Sequence, residues 1–225
     1  MKKPLNSHHP LLLFDLETTG FSPQKDAIIE LGVLLLDTHL SPQKKYSFFV
    51  KSPHVIPQKI TDLTGITQRM SDSGQDVRDV FDLFKAFNHS DALWGAYNTQ
   101  FDIGFVQALF DRFDPGTQVQ ANLFDVMAIY KDRYSAPHSL KQAIKTLDVP
   151  LANTHRAIDD VLATAEVLKR LHAVKPVDSF VNIIGYHPKY GLRGPKYSHI
   201  QYVAQHNIPG SLETQINRIE GGSHA

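Results

Sequence analysis

The 225-residue chain contains no cysteine, which excludes disulfides, thiolate metal sites and cysteine nucleophiles. It also lacks net charge, since 23 basic residues balance 23 acidic ones. No overall field therefore attracts a polyanion, which argues against a tight, non-specific duplex binder. The same balance leaves room for an enzyme that grips a few nucleotides through metal ions. No apolar run approaches the roughly 18 residues of a membrane span. Lys2 and Lys3 are followed by Pro, Asn, Ser and two His before a four-residue apolar run, which cannot build a signal-peptide core. The expectation is a soluble, cytoplasmic protein. Repeats and low-complexity segments are absent. Residues that are 42% hydrophobic and 20% charged suffice at this length for one sizeable core and a small appendage.

What is present centres on residues 11–20, Leu-Leu-Leu-Phe-Asp-Leu-Glu-Thr-Thr-Gly. Four apolar residues in a row read as a strand covered on both faces. Asp15 and Glu17 stand two apart, which on a strand sends both carboxylates to one face. They repel unless a cation lies between them; the plainer reading is a solvated pair at a strand end. Thr18, Thr19 and Gly20 turn the chain, and free amides there could receive a phosphate or a terminal sugar.

Residues 27–37 and 45–51 read as two further strands of an antiparallel meander, because the connections are too short for crossover helices. Glu30, a lone acid in the second strand, reads as an edge or hydrogen-bonded residue rather than a metal ligand. Pro57 opens a short helix over 58–63. Val77, Val80, Phe81, Phe84 and Phe87 mark an amphipathic helix over 76–88. A strand at 92–97 leads into a helix opened by 98–102, whose Phe101, Phe105, Leu109 and Phe110 read as core. A strand and helix at 122–132 and helices at 139–147 and 156–172 follow. This order predicts an α/β fold with a mixed central β-sheet flanked by α-helices.

Asp102 falls in the first turn of its helix and Asp160 one turn into the last. His155 precedes that helix in the loop. Four carboxylates from a strand and two helices can hold two hard divalent cations, Mg²⁺ or Mn²⁺ in preference to zinc. Two such ions about 3.5–4 Å apart serve phosphodiester hydrolysis, one acidifying a water and the other stabilising the leaving 3′ oxygen. Histidine suits the role of base to that water at neutral pH; a helix-cap or surface histidine is the alternative, as the chain has 12.

These residues resemble the motifs of the DnaQ-like 3′–5′ exonucleases of the DEDDh type, which have a ribonuclease H-like fold. The first motif is Asp15-Leu-Glu17-Thr-Thr19-Gly20, the second Asn98-Thr-Gln-Phe101-Asp102 and the third His155-Arg-Ala-Ile-Asp-Asp160. The Ile-Ile-Glu-Leu-Gly strand, the Leu-Thr-Gly-Ile-Thr loop at 63–67 and the His138-Ser-Leu helix start extend the match over about residues 10–173. The resemblance implies that Asp15, Glu17, Asp102 and Asp160 bind two Mg²⁺ ions and that His155 activates the water. It also implies that Thr18 and Thr19 hold the 3′-terminal nucleotide, that Gly65 and Ile66 lie in the loop against its base, and that Asn98 contributes to the site. Many relatives have His before that Asn, where this chain has Tyr97. Asp159 points about 100° away from Asp160 on a helix and is assigned to the surface or a cap.

The expected activity is therefore metal-dependent 3′–5′ hydrolysis of single-stranded or frayed DNA. An RNA-trimming exoribonuclease and a silent nucleic-acid-binding module are the alternatives; a polymerase or other replication or repair protein is a conceivable partner. The exonuclease domain is placed at 1–174, an irregular extension with room for one short hairpin at 175–218, and a disordered tail at 219–225. Residues 180–205 contain no acid but carry Lys189, Arg193 and Lys196 among Tyr186, Tyr190, Tyr197 and Tyr202. They form either a groove wall for a single strand or a segment packed on the domain's flank.

Overall fold

Residues 10–192, 194–206 and 208–222 are described in the computed structural model, with side chains as far as Asn217. The elements run β1 (Leu11–Thr18), β2 (Ile28–Leu36), β3 (Pro42–Phe49), α1 (Gln58–Thr64), α2 (Gln68–Asp72), α3 (Val77–Ala86), β4 (Leu93–Ala96) and α4 (Thr99–Phe113). They continue with β5 (Asn122–Asp125), α5 (Val126–Arg133), α6 (Leu140–Thr146), α7 (Ala157–Val174), β6 (Ile183–Tyr186), β7 (Gln201–Ala204) and α8 (Ser211–Gly222). The five-stranded sheet has the order β3-β2-β1-β4-β5. β1, β2 and β3 form the antiparallel meander, while β4 and β5 join in parallel. This is the mixed sheet flanked by helices that the order of elements predicts.

β1 lies at the centre, and its alternation divides the core. Leu11 and Leu13 pack with α5, α6 and α7 on one face. Leu12, Phe14 and Leu16 pack with α3 and α4 on the other, where Phe14, Phe84 and Trp94 meet edge to face. Both faces are dry, which is why β1 reads as a continuous apolar run. The odd-numbered face carries Asp15 and Glu17 toward α7. Phe105, Leu109 and Phe110 of α4 are core as expected; Phe101 is only half-buried. The short α2, held by the Thr67 hydroxyl accepting from the Met70 amide, has no apolar periodicity to announce it.

The C-terminal part departs from expectation. β6 and β7 pair in parallel, not as a hairpin, because residues 194–200 run along the flank of α4 before the second strand begins. That stretch is pinned by the Tyr197 hydroxyl on Gln107 Oε1 (3.1 Å) and by His199 Nε2 at 3.0 Å from the Ala121 carbonyl. α8 docks through the Leu212 amide on Asp132 Oδ1 (2.7 Å) and buries Leu212 and Ile216 in the core shared with α7. Its helical backbone runs to Gly222; of the tail expected at 219–225, residues 223–225, like Arg193, lie outside the described residues. No helix among the described residues is long and apolar enough to cross a membrane.

Candidate active site

The site forms where β1 ends beneath the start of α7. Asp15 pairs with Gly32 across the β1–β2 ladder. A Cβ on Gly32 would lie 2.5 Å from the Ala157 carbonyl carbon, so only glycine lets α7 begin directly on the sheet. Glu30, opposite Glu17, fixes that landing. Its buried carboxylate accepts from Arg156 Nε and Nη2 (2.7 Å for the shortest contact) and from the Ala157 amide (3.0 Å). Glu30 is thus the hydrogen-bonded residue of the two readings offered for it, and its partner Arg156 sits between His155 and α7. Glu30→Ala leaves a guanidinium and an amide without their acceptor. We expect a loss of about 3 kcal/mol, the low end for a broken buried pair because the Arg156 side chain is 35% exposed. Urea denaturation measures it, and divalent-cation affinity should fall in the same variant.

His155 lies in the loop just before α7, with φ of 55°. A left-handed backbone is uncommon for a non-glycine residue and clusters at functional sites. Glu17, His155 and Asp160 each bring a ligand atom within 4.8 Å of the others. Asp160 accepts from the Thr154 amide (3.1 Å) and from Asn153 Nδ2, contacts that aim its carboxylate and that the motif spacing did not reveal. Asp159 instead accepts from the Thr154 hydroxyl (2.8 Å), bracing the loop from the surface of α7. Asp102 comes from the first turn of α4, its Oδ1 accepting the Leu16 amide at 3.2 Å, which ties α4 to β1 between the two acids.

Burial is the leading cause of raised proton affinity throughout this cluster, and mutual repulsion adds to it. Glu17 is pushed up to about 8 by burial and then by Asp160, Glu30 and Asp102, against a smaller opposing effect of Arg156. Asp102 is likewise pushed up to about 8 by burial, partly offset by the Leu16 amide. Asp15 is held well above the usual carboxylate range by burial, Asp102, Glu17 and Asp160, and Asp160 is raised by burial. Carboxylates so placed need positive charge beyond Arg156, and a set of carboxylate oxygens fits hard divalent cations.

A stability prediction follows from the sign of these shifts. Between the ordinary Glu value of 4.5 and about 8, the folded protein holds a proton on Glu17 that the unfolded chain has released. The native state binds more protons there, so stability of the metal-free protein falls as pH rises through that window. Melting temperature measured in EDTA from pH 5 to 8.5 should drop. Saturating divalent cation should reverse most of the drop and release protons on binding.

The remaining sequence-predicted residues fall into two groups. Asn98 is exposed at the N-terminus of α4 and makes no side-chain capping bond. Gly65 ends α1 in a left-handed turn with open space around it. By contrast, the Thr19 amide is spent on the Ala27 carbonyl (2.9 Å), and the Thr18 hydroxyl on the Gly20 carbonyl (2.6 Å). The turn therefore offers fewer free donors than expected. Ile66 has no exposed surface; it packs on Ile29, Ile56 and Ile60, so the expected contact with a base is not available to its side chain. The exposed apolar residue of that segment is Leu63. Tyr97 is buried and anchors the α6 approach through its hydroxyl on the His138 carbonyl (2.8 Å).

Residues 12–168 match the model of the RNase T exonuclease family. The DNA polymerase III PolC-type protein of Clostridium perfringens is 37% identical over 161 residues, 70% of this chain but 11% of that polymerase. The PolC-type protein of Thermotoga maritima is 30% identical over 160 residues, 71% of this chain and 12% of its own length. The chain thus corresponds to about a ninth of the curated relatives it matches. Among solved structures, E. coli Exonuclease I in complex with a dA16 oligonucleotide superposes with a TM-score of 0.67 at 18% identity, over 75% of this chain and 42% of that one. Its complex with the SSB C-terminus gives 0.65 over the same shares. The match across most of the chain, on the sheet and helices that carry the acidic cluster, shows that the chain belongs to the DnaQ-like 3′–5′ exonuclease family with a ribonuclease H-like fold.

Proposed function

We propose that the protein hydrolyses single-stranded or frayed DNA from the 3′ end, releasing 5′-mononucleotides. The observation that carries this reading is the convergence of Glu17, Asp160 and His155 within 4.8 Å beside Asp15 and Asp102. Asp15, Glu17, Asp102 and Asp160 would hold divalent cations, Mg²⁺ in the first instance. When bound, these supply the charge that acidifies a water and offsets the negative charge of the leaving 3′ oxygen. His155 takes the proton of the attacking water, and the adjacent Glu17 and Asp160 carboxylates stabilise the imidazolium that results. Asn98, exposed at the start of α4, and the open left-handed turn at Gly65 orient the terminal nucleotide.

The relatives named as DNA polymerase III support DNA over RNA and suggest a polymerase or other replication protein as partner. The test uses 5′-labelled DNA and RNA oligonucleotides with Mg²⁺ or EDTA. A ladder shortening from the 3′ end of DNA, abolished by EDTA, is expected. Shortening from the 5′ end, or cation-independent cleavage, would overturn the proposal; faster cleavage of RNA would transfer it to an exoribonuclease.

A further inference from the structure

Beside the acidic cluster runs a cleft of about 740 Å³, floored by the first turns of α4 and walled by the turn after β1 and by Gly185–Gly191 with Gly194. Its second wall lies beyond the residues 12–168 shared with the family. The tyrosines of this segment divide between two roles. Tyr197 is buried, and the partly buried Tyr202 accepts the Tyr197 amide on its hydroxyl, so these two hold the segment in place. Tyr186 and Tyr190 face the cleft instead, and Tyr190 is 60% exposed. On the opposite wall Phe21 is 84% exposed, supported edge to face by Phe101 at 6.2 Å between ring centroids. An exposed phenylalanine and an exposed tyrosine lining one cleft are costly in water and are suited to flat, apolar partners.

Charge narrows the choice of partner. Lys131 lines the cleft, and Lys189 Nζ stands 5.5 Å from the centre of the Tyr190 ring. The segment from Phe180 to Gln205 contains no acid. Rings flanked by cations, without acids on that wall, match bases joined by phosphates better than an apolar helix. The cleft is also continuous with the catalytic end. Asn98 and Phe101 line it one turn or less from Asp102, and Phe21 directly follows Gly20. Small residues keep it open: Gly104 allows Pro23 to lie against α4, its Cβ position being 3.2 Å from Pro23 Cγ.

We infer that this cleft binds the single-stranded DNA that leads into the catalytic site, with bases stacked on Phe21 and Tyr190 and phosphates met by Lys131 and Lys189. The inference rests on the exonuclease reading for the direction of the strand, but not for its existence. The test compares wild type with Lys189→Ala/Tyr190→Ala, both exposed positions whose replacement leaves the core untouched. Binding of labelled dT12 in EDTA is measured by fluorescence anisotropy across a salt series, and hydrolysis of the p-nitrophenyl ester of thymidine 5′-phosphate is measured with Mg²⁺. The variant is expected to bind dT12 about 5–150-fold more weakly, the range for loss of one stacked base. Its slope of log affinity against log salt should flatten by about 0.7, while the ester, which reaches only the terminal site, should keep its KM. Unchanged dT12 binding, equal losses on dT12 and the ester, or tighter binding of U12 than dT12 by wild type would each overturn the inference. A dimer that dissociates on the double substitution would overturn it in favour of a second copy. Wild type that binds dT12 in the cleft yet hydrolyses neither substrate would instead overturn the exonuclease reading and leave the cleft assignment supported.

Discussion

Asp15→Asn is expected to lower hydrolysis by at least about 10³-fold at saturating Mg²⁺ while the fold stays intact, and Asp102→Asn to do the same. The two positions act together: Asp15 lies on the strand face beneath α7, and Asp102 reaches the same strand through the Leu16 amide. An amide at either place keeps the shape but offers neutral oxygen where negative charge is needed. The metal-free variants should be no less stable than wild type. Removing one charge from a set in which Asp102, Glu17 and Asp160 all push the Asp15 proton affinity upward relieves repulsion. Rates measured over a Mg²⁺ titration, alongside melting curves in EDTA, separate the two effects. Turnover near wild type in Asp15→Asn would refute the role given to the acids.

The second large effect belongs to His155. His155→Ala should lose about 10²–10⁴-fold in kcat with KM largely kept, the range for a general base. His155→Asn is the matched control, because asparagine tolerates the left-handed backbone at this position better than alanine does. A variant of either kind that loses binding and rate in proportion would show that His155 positions the strand instead.

Most of the site is legible in the linear sequence because its geometry is local. Two residues on a strand share a face, which places Asp15 and Glu17. The five-residue step from His155 to Asp160 spans a loop and the first turn of a helix, and the helix begins at Ala157 as that step requires. Glu30 in an otherwise apolar strand signals a buried partner, though nothing local names Arg156. What escaped depends on contacts distant in sequence. Ile66 stands in a polar loop but turns inward because Ile29 and Ile56 leave a place for it. The Thr19 amide is consumed by Ala27, across the turn. The parallel pairing of β6 with β7 is decided by how residues 194–200 run along α4, which no local turn signal encodes. α8 did carry a signal, Leu212 and Ile216 one turn apart, that the surrounding glycines and polar residues obscured.

The Asn182 contact on β5 has a bearing on solubility. β5 is the last strand of its sheet, and its outer rim would present unpaired backbone groups. Asn182, with a left-handed backbone, donates its amide to the Leu123 carbonyl (2.8 Å) and accepts the Leu123 amide on its side-chain oxygen (2.9 Å), imitating one residue of a neighbouring strand. The opposite rim, β3, is defended differently, by Pro42 and by the exposed Lys44 and Lys45. One margin is thus closed by hydrogen bonds from the chain's own extension and the other by charge and a missing amide. A chain ending at Val174 would retain the whole acidic cluster with His155 and expose a strand margin ready to pair with its neighbour's.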